Sequence, residues 1–219
     1  MHGVIFDMDG VLILTADAHF QSWRDTAARH GVEVDYEKFI RMFGRTNPDI
    51  IRAWWGERTP IDLLDRIAHE KELAFRELIA RKVPLAPGCE ALLRELKEAG
   101  VTLAVGSSAP IENIALVLDE GGIRWYFSAV VDGSEVRRGK PAPDVFLLAA
   151  DRLGLPPVRC AVIEDAPAGI AAAISAGTIA VGVAATHKAS ELEAVGADFV
   201  APSLADLTCE RILSMLRRE

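Results

Sequence analysis

Two aspartates stand two positions apart directly after an apolar run, in Val4-Ile5-Phe6-Asp7-Met8-Asp9-Gly10-Val11. Alternate residues of an extended segment face the same way, so both carboxylates can enter one pocket. Such a pair repels itself unless a cation stands between, and carboxylate oxygen is the donor that Mg²⁺ prefers. Val4 to Phe6 reads as a buried strand, and open α/β sheets bind ligands at the carboxyl ends of their strands. Gly10 allows the sharp turn that follows. Asp-x-Asp-Gly is also the composition of a plain turn, and of the start of a calcium loop. The calcium loop fails here, because Val11 stands where the next Asp or Asn belongs and no Glu closes the loop. Site and turn both stay open on these residues alone.

Polar groups are expected at three further strand ends. Val101 to Val105 leads to Gly106-Ser107-Ser108, hydroxyl and amide donors at an expected helix start. They suit a phosphate seat or a plain N-cap. Lys140 sits in Arg138-Gly139-Lys140-Pro141-Ala142-Pro143, where two prolines stiffen the backbone; the alternative is a solvated lysine. Cys160 to Ile163 runs into Glu164-Asp165, two carboxylates that are costly in that place unless they are solvated or hold a metal. Ala166 to Gly169 then forms a small, tight turn.

The rest of the chain must position these groups. Ala16 to His30 has a helical period, with His19, Phe20 and Trp23 near one face and Gly31 as its stop. Tyr36 to Met42 follows, then the loop Gly44-Arg45-Thr46-Asn47-Pro48. Pro48 or Asp49 opens a helix through Ala53, and Pro60 opens a longer one with Ile61, Leu64, Ile67, Ala68, Phe75 and Leu78 at helical spacing. No strand pattern occurs between Thr15 and about Arg81. Beyond Pro84-Leu85-Ala86-Pro87-Gly88 the pattern alternates. Strands are expected at Val101 to Val105, Ala129 to Val131, Cys160 to Ile163, Ile179 to Val183 and Phe199-Val200. Helices Cys89 to Ala99, Ile111 to Glu120, Pro143 to Leu153, Gly169 to Ala176 and Ser190 to Val195 separate them, and a further helix closes the chain. This predicts an α/β fold, a doubly wound, Rossmann-like parallel sheet covered on both faces. Residues 1–14 and 82–219 would form that core, and residues 15–81 a helical cap inserted after the first strand. A cap so placed can close over a substrate and exclude water.

The 219 residues and their apolar half suffice for a large core. A net charge of −8, from 24 basic and 32 acidic residues, argues against nucleic-acid and anionic-membrane binding. A few local cations and a metal can still attract an anionic substrate. Cys89, Cys160 and Cys209 have neither metal-ligand spacing nor the even count of a disulfide framework, which fits a reducing cytoplasm. A strand starts within a few residues of the N-terminus, so no signal peptide is expected. No apolar run reaches membrane-spanning length.

In chain order the four ends are an acidic pair, a hydroxyl, a cation and an acidic pair. As Asp7-x-Asp9-Gly10-Val11, Gly106-Ser107-Ser108, Lys140-Pro141-x-Pro143 and Glu164-Asp165 with Gly169, the chain resembles the haloacid dehalogenase superfamily. The cap position matches its branch of β-phosphoglucomutases and sugar-phosphate phosphatases. The resemblance implies that Asp7 is the nucleophile and forms an aspartyl-phosphate. It implies Mg²⁺ held by the Asp7 carboxylate, the Asp9 backbone carbonyl and Asp165, with Glu164 in support. Asp9 would be the general acid and base, and Ser107, Ser108 and Lys140 the phosphate-binding groups. Dehalogenases and phosphonate hydrolases of the superfamily lack an acid at the Asp9 position. In the cap, Thr15, His19, Arg45 and Lys71 match substrate-contacting positions of the mutase. Where that enzyme has a serine and a cation for the substrate's distal phosphate, this chain has Ala109-Pro110, and Leu14 replaces an acidic residue before Thr15. The expected activity is therefore a Mg²⁺-dependent phosphatase of a small phosphorylated metabolite, with a phosphomutase as the alternative. Trp54-Trp55 could stack on a sugar, pack within the cap core or serve an interface. A phospho-accepting receiver or an inactive interaction protein is the more distant alternative, and a monomer is the default.

Overall fold

The structure, a computed structural model, describes residues 1–217. Six strands form one sheet: β1 (Gly3–Phe6), β2 (Thr102–Gly106), β3 (Ala129–Val131), β4 (Cys160–Glu164), β5 (Ile179–Val183) and β6 (Phe199–Ala201). All neighbours are parallel, in the order β3-β2-β1-β4-β5-β6. β1 lies at the centre, with Ile5 opposite Ala104 on one side and Val162 on the other. β-branched and aromatic residues favour this pleated interior.

The sheet is buried on both faces because its side chains alternate. Val4 and Phe6 face a cluster with Leu103, Val105, Ala161 and Ile163, covered by α5 (Cys89–Glu98), α6 (Ile111–Glu120) and α10 (Cys209–Leu216). Ile5 faces the other way, with Ala104, Val162 and Ala180, beneath α7 (Asp144–Arg152), α8 (Pro167–Ala176) and α9 (Ala189–Val195). Burying a large aliphatic or aromatic side chain is worth about 1.5–3 kcal/mol, so two such clusters fix the strand ends firmly. The order reverses between β1 and β4, and the crevice at such a switch point is where ligands of these sheets bind.

Between β1 and β2 the chain forms α1 (Ala16–Arg29), α2 (Tyr36–Ile40), α3 (Asn47–Trp55) and α4 (Ile61–Ile79). Asp35 caps α2 through the Lys38 amide at 2.7 Å, and the Thr46 hydroxyl caps α3 at Asp49. These helices share an apolar cluster of their own that includes Trp23, Phe39, Phe43, Ile51 and Ile67. Phe75 and Ile79, at the far end of α4, belong instead to the sheet's cluster. The two connecting segments are tied together by Leu14 donating to the Pro84 carbonyl and Ala86 to the Leu12 carbonyl, both at 2.9 Å. The helical insertion meets the core again at its tip, where a side chain at Gly139 would press on the Thr46 methyl group.

Several element ends differ from the expectation. α3 runs on through Trp54 and Trp55, because both indoles find partners in the cap. Trp54 meets Trp23 edge-on at 5.2 Å, and Trp55 donates its ring N–H to the His30 carbonyl at 3.2 Å. α2 stops at Ile40, and α8 starts two residues early, with Pro167 at its first turn. No helix among the described residues is long and apolar enough to cross a membrane.

Candidate active site

The carboxyl ends of β1, β2 and β4 and the loop before α7 converge on one point. Lys140 Nζ donates at 2.7 Å to Asp7 Oδ1 and at 2.7 Å to Glu164 Oε1. All three side chains are buried. Glu164 is fixed further by the amides of Asp165 and Ala166, which donate to its Oε2 at 2.8 and 2.9 Å. Its carboxylate lies over Gly169, where any side chain would collide with it. Gly10 serves in the same way beneath Asp165, and its φ of +81° is one that L side chains rarely adopt.

Asp7, Glu164 and Asp165 each present an oxygen, all within 4.8 Å of one another. Lys140 supplies one positive charge to three carboxylates. Both Asp165 oxygens are buried and lack any hydrogen-bond donor. An orphaned carboxylate of that kind is strongly disfavoured unless a cation completes it, and an all-oxygen set suits Mg²⁺. Burial first, then the charges of Glu164 and Asp7, push the Asp165 carboxyl well above the usual range. Burial likewise carries Asp7 up to about 7 against the pull of Lys140.

Asp9 faces the helical insertion. Its Oδ1 accepts from the Thr15 hydroxyl at 2.5 Å and lies 2.9 Å from His19 Nε2. Burial opposes its ionisation, but His19, Thr15 and Lys71 outweigh that and hold its pKa below the ordinary value. The His19 ring stacks on Phe75, with centroids 3.8 Å apart. Its Nδ1 lies 2.8 Å from Lys71 Nζ, which donates in turn to Glu72 Oε1 at 2.8 Å.

A cleft of about 480 Å³, mouth included, opens between sheet and insertion. Asp7, Asp9, His19, Lys71, Ser107 and Ser108 line it. Ser107 is buried and Ser108 half-buried. The Ser107 hydroxyl accepts from the Ala109 amide at 3.1 Å, and α6 begins only at Ile111. The serines therefore cap their own loop and not a helix. Lys71 is 2% exposed and so is not part of a solvated helix face. Arg45 lies exposed at the cleft mouth. Trp54 and Trp55 are outside the cleft lining, which removes them as a stacking surface.

Glu72, Asn47 and Asn113 are polar residues that sequence reasoning passed over. Glu72 Oε1 accepts from Asn47 Nδ2 at 2.7 Å, and Oε2 from Asn113 Nδ2 at 2.5 Å. The available signal was weak: Glu72 falls at i−3 and i+5 from Phe75 and Ile67, beside the buried stripe of α4.

Comparison with known proteins agrees with this geometry. The profile of haloacid dehalogenase-like hydrolases matches residues 1–177. The chain is 35% identical to the β-phosphoglucomutase of Bacillus subtilis (strain 168) over 217 residues, covering 96% of this chain and 93% of that protein. It is 36% identical over 182 residues to the fructose-1-phosphate phosphatase YqaB of Escherichia coli (strain K12), with coverage of 83% and 95%. The crystal structure of a β-phosphoglucomutase from Clostridium difficile superposes with a TM-score of 0.88 at 29% identity, covering 99% of this chain and 97% of that one. With the sheet order, the capped cleft and the profile in agreement, the chain is an enzyme of the haloacid dehalogenase-like hydrolase family.

Proposed function

We propose that this enzyme is a phosphatase of a small phosphorylated sugar or similar metabolite, working through an aspartyl-phosphate on Asp7. The observation that carries the reading is the buried Asp7 carboxylate, fixed by Lys140 at 2.7 Å and opening on a cleft whose other wall holds Asp9. Residues 1–14 and 82–219, of which 218 and 219 lie outside the described residues, act as the core, and residues 15–81 as the cap that closes the cleft.

Asp7 attacks phosphorus, and the ester oxygen leaves with the proton that Asp9 donates. A phosphoryl dianion beside Asp9 raises its proton affinity, which readies it as the acid. In the second half, Asp9 takes a proton from water as the water displaces phosphate from Asp7. Thr15 and His19 keep the Asp9 carboxylate pointed at that position. Lys140, Ser107 and Ser108 hold phosphoryl oxygens, and Lys140 offsets charge as it develops. Lys71 orients His19 from behind, and Arg45 meets substrate at the mouth. Asp7 and Asp165 would hold Mg²⁺ together with the Asp9 carbonyl, with Glu164 supporting them. When bound, the metal offsets the repulsion between carboxylate and phosphate.

The second reading is a phosphomutase, favoured by the mutase relative that matches nearly the whole chain. Hydrolysis stays ahead because Ala109 and Pro110 line the cleft where a second phosphate would need donors. The test is an assay with Mg²⁺ over a panel of sugar phosphates, together with β-glucose 1-phosphate and a trace of glucose 1,6-bisphosphate. Orthophosphate is the expected product. Glucose 6-phosphate forming faster than orthophosphate would make the enzyme a mutase.

A second expectation concerns Asp9. Asp9→Asn keeps the Thr15 contact and loses the proton, so kcat on sugar phosphates should fall by roughly 10²–10⁴. The first step with p-nitrophenyl phosphate needs no acid, because its leaving group departs as the anion. A stoichiometric burst of nitrophenolate should therefore survive in this variant. Its absence would remove Asp9 from the acid role.

A further inference from the structure

Three contacts away from Asp9, along His19 and Lys71, the cleft ends at Glu72. This carboxylate is 5% exposed and fixed from three sides, by Lys71 Nζ at 2.8 Å, Asn47 Nδ2 at 2.7 Å and Asn113 Nδ2 at 2.5 Å. Asn113 belongs to α6 in the core, and Arg76 Nη1 donates to its Oδ1 at 2.8 Å, which turns the Asn113 amide N–H₂ toward Glu72. Burial opposes the charge on Glu72, yet Lys71, His19 and the Asn47 amide bring its pKa down to about 2. The residue is therefore an anion at any working pH.

The charge balance of the cleft follows. Of the two cations lining it, Lys71 is neutralised by Glu72, and Arg45 is exposed at the mouth. Ala109 and Pro110, beside them, offer no side-chain donor. A carboxylate has room for about four hydrogen bonds, and Glu72 uses three within the protein, so one acceptor site remains. A hydroxyl can use it. A phosphate, which arrives as an anion and carries acceptors, finds the Lys71 charge already cancelled by Glu72, and the remaining cation of the lining, Arg45, stands at the exposed mouth.

We infer that Glu72 is a specificity-determining residue, a fixed anion that cancels Lys71 and so selects phosphate monoesters with a neutral, hydroxyl-bearing remote end over those carrying a second phosphate there. The inference rests on the phosphatase reading and narrows it to a substrate class.

The test compares matched ligands in the presence of Mg²⁺: fructose 1-phosphate with fructose 1,6-bisphosphate, and β-glucose 1-phosphate with glucose 1,6-bisphosphate. Dissociation constants are measured by calorimetry on protein carrying Asp7→Asn, to prevent turnover, and kcat/KM on protein with Asp7 intact. Glu72→Gln keeps the side chain's volume and an acceptor for Lys71 but removes the charge. The expected result is a wild-type preference for each monophosphate that Glu72→Gln narrows by at least about tenfold. Asn113→Ala retains the charge, so its preference should stay with the monophosphate. Asn47→Lys, which sets a cation beside Glu72, should shift preference toward the bisphosphate and serves if Glu72→Gln does not fold. Equal binding of both ligands by the wild type overturns the inference. So does an unchanged ratio in both charge variants, or a ratio that collapses equally in Asn113→Ala, which would make packing the cause. Failure of the phosphatase reading has a different sign: the binding ratios hold, but no orthophosphate is released from any monoester, p-nitrophenyl phosphate included.

Discussion

Asp7→Asn should lower turnover by roughly 10⁴- to 10⁶-fold, the loss expected when a covalent nucleophile is removed, and should make the metal-free protein more stable. The second half of that expectation comes from charge counting. Asp7, Glu164 and Asp165 crowd within 4.8 Å, and Lys140 is the cation that contacts the group. An amide at position 7 removes one of three repelling charges and leaves Lys140 paired with Glu164. A melting-temperature rise of roughly 2–4 °C corresponds to about 1 kcal/mol in a chain of this size. The pH dependence has a definite sign. Burial pushes the Asp7 carboxyl up to about 7 in the folded protein, against about 3.9 when unfolded. Its ionisation therefore costs folded-state stability progressively between those values, and the full cost is present above about pH 7. The advantage of Asn should be largest there and fade toward pH 4. Mg²⁺ should raise the wild-type melting temperature more than that of the variant. Thermal melts with and without Mg²⁺ check all three points, and an Asp7→Asn variant less stable at pH 8 would show that its contact with Lys140 outweighs the repulsion. Loss of activity alongside gain of stability is the trade expected of a strained functional group.

Lys140→Ala is the reciprocal case. It strips the internal cation from Asp7 and Glu164, both within 2.7 Å of Nζ and both buried. Breaking a buried ion pair from one side costs about 3–5 kcal/mol, so a melting-temperature fall of roughly 10 °C follows. The variant also loses packing, because the ammonium lies 4.9 Å above the Phe146 ring centroid. Catalysis should drop by roughly 10²–10³ as one electrostatic contact to the phosphoryl group disappears. Millimolar Mg²⁺ should restore part of the stability and little of the activity, since a divalent ion can neutralise the carboxylates but does not sit where Nζ does. The double variant Lys140→Ala/Glu164→Gln should be less destabilised than the two single losses summed, because the second change removes a charge that the first left unpaired. Additive losses would mean that Lys140 acts through packing alone.

Much of this was legible in the residues because the relevant signals are local. An apolar run that ends in Asp7-x-Asp9, Ser107 or Glu164-Asp165 announces both a strand and its chemical end, whereas Lys140, expected at a strand end, lies in the loop between β3 and α7 and is marked by its prolines. Helical period without strand pattern from Thr15 to Arg81 announces the insertion. The parallel sheet follows from alternation, since each strand must be returned by a helix. Other properties depended on which surfaces meet. Lys71 and Glu72 look like any charged pair on a long helix; only the seating of α4 against α1 and α6 dries them and makes them opposed, fixed charges. Trp54 and Trp55 look like a sugar platform until the cap's own core claims them. Asn113 carries no motif, and its contact with Glu72 joins residues 41 positions apart. Sequence period tells which face of a helix is apolar, whereas the burial of a polar residue is decided by the partner that lands on it. For this protein the type and order of the reactive groups were therefore written locally, and the charge balance at the far end of the cleft arose only when the insertion closed on the sheet.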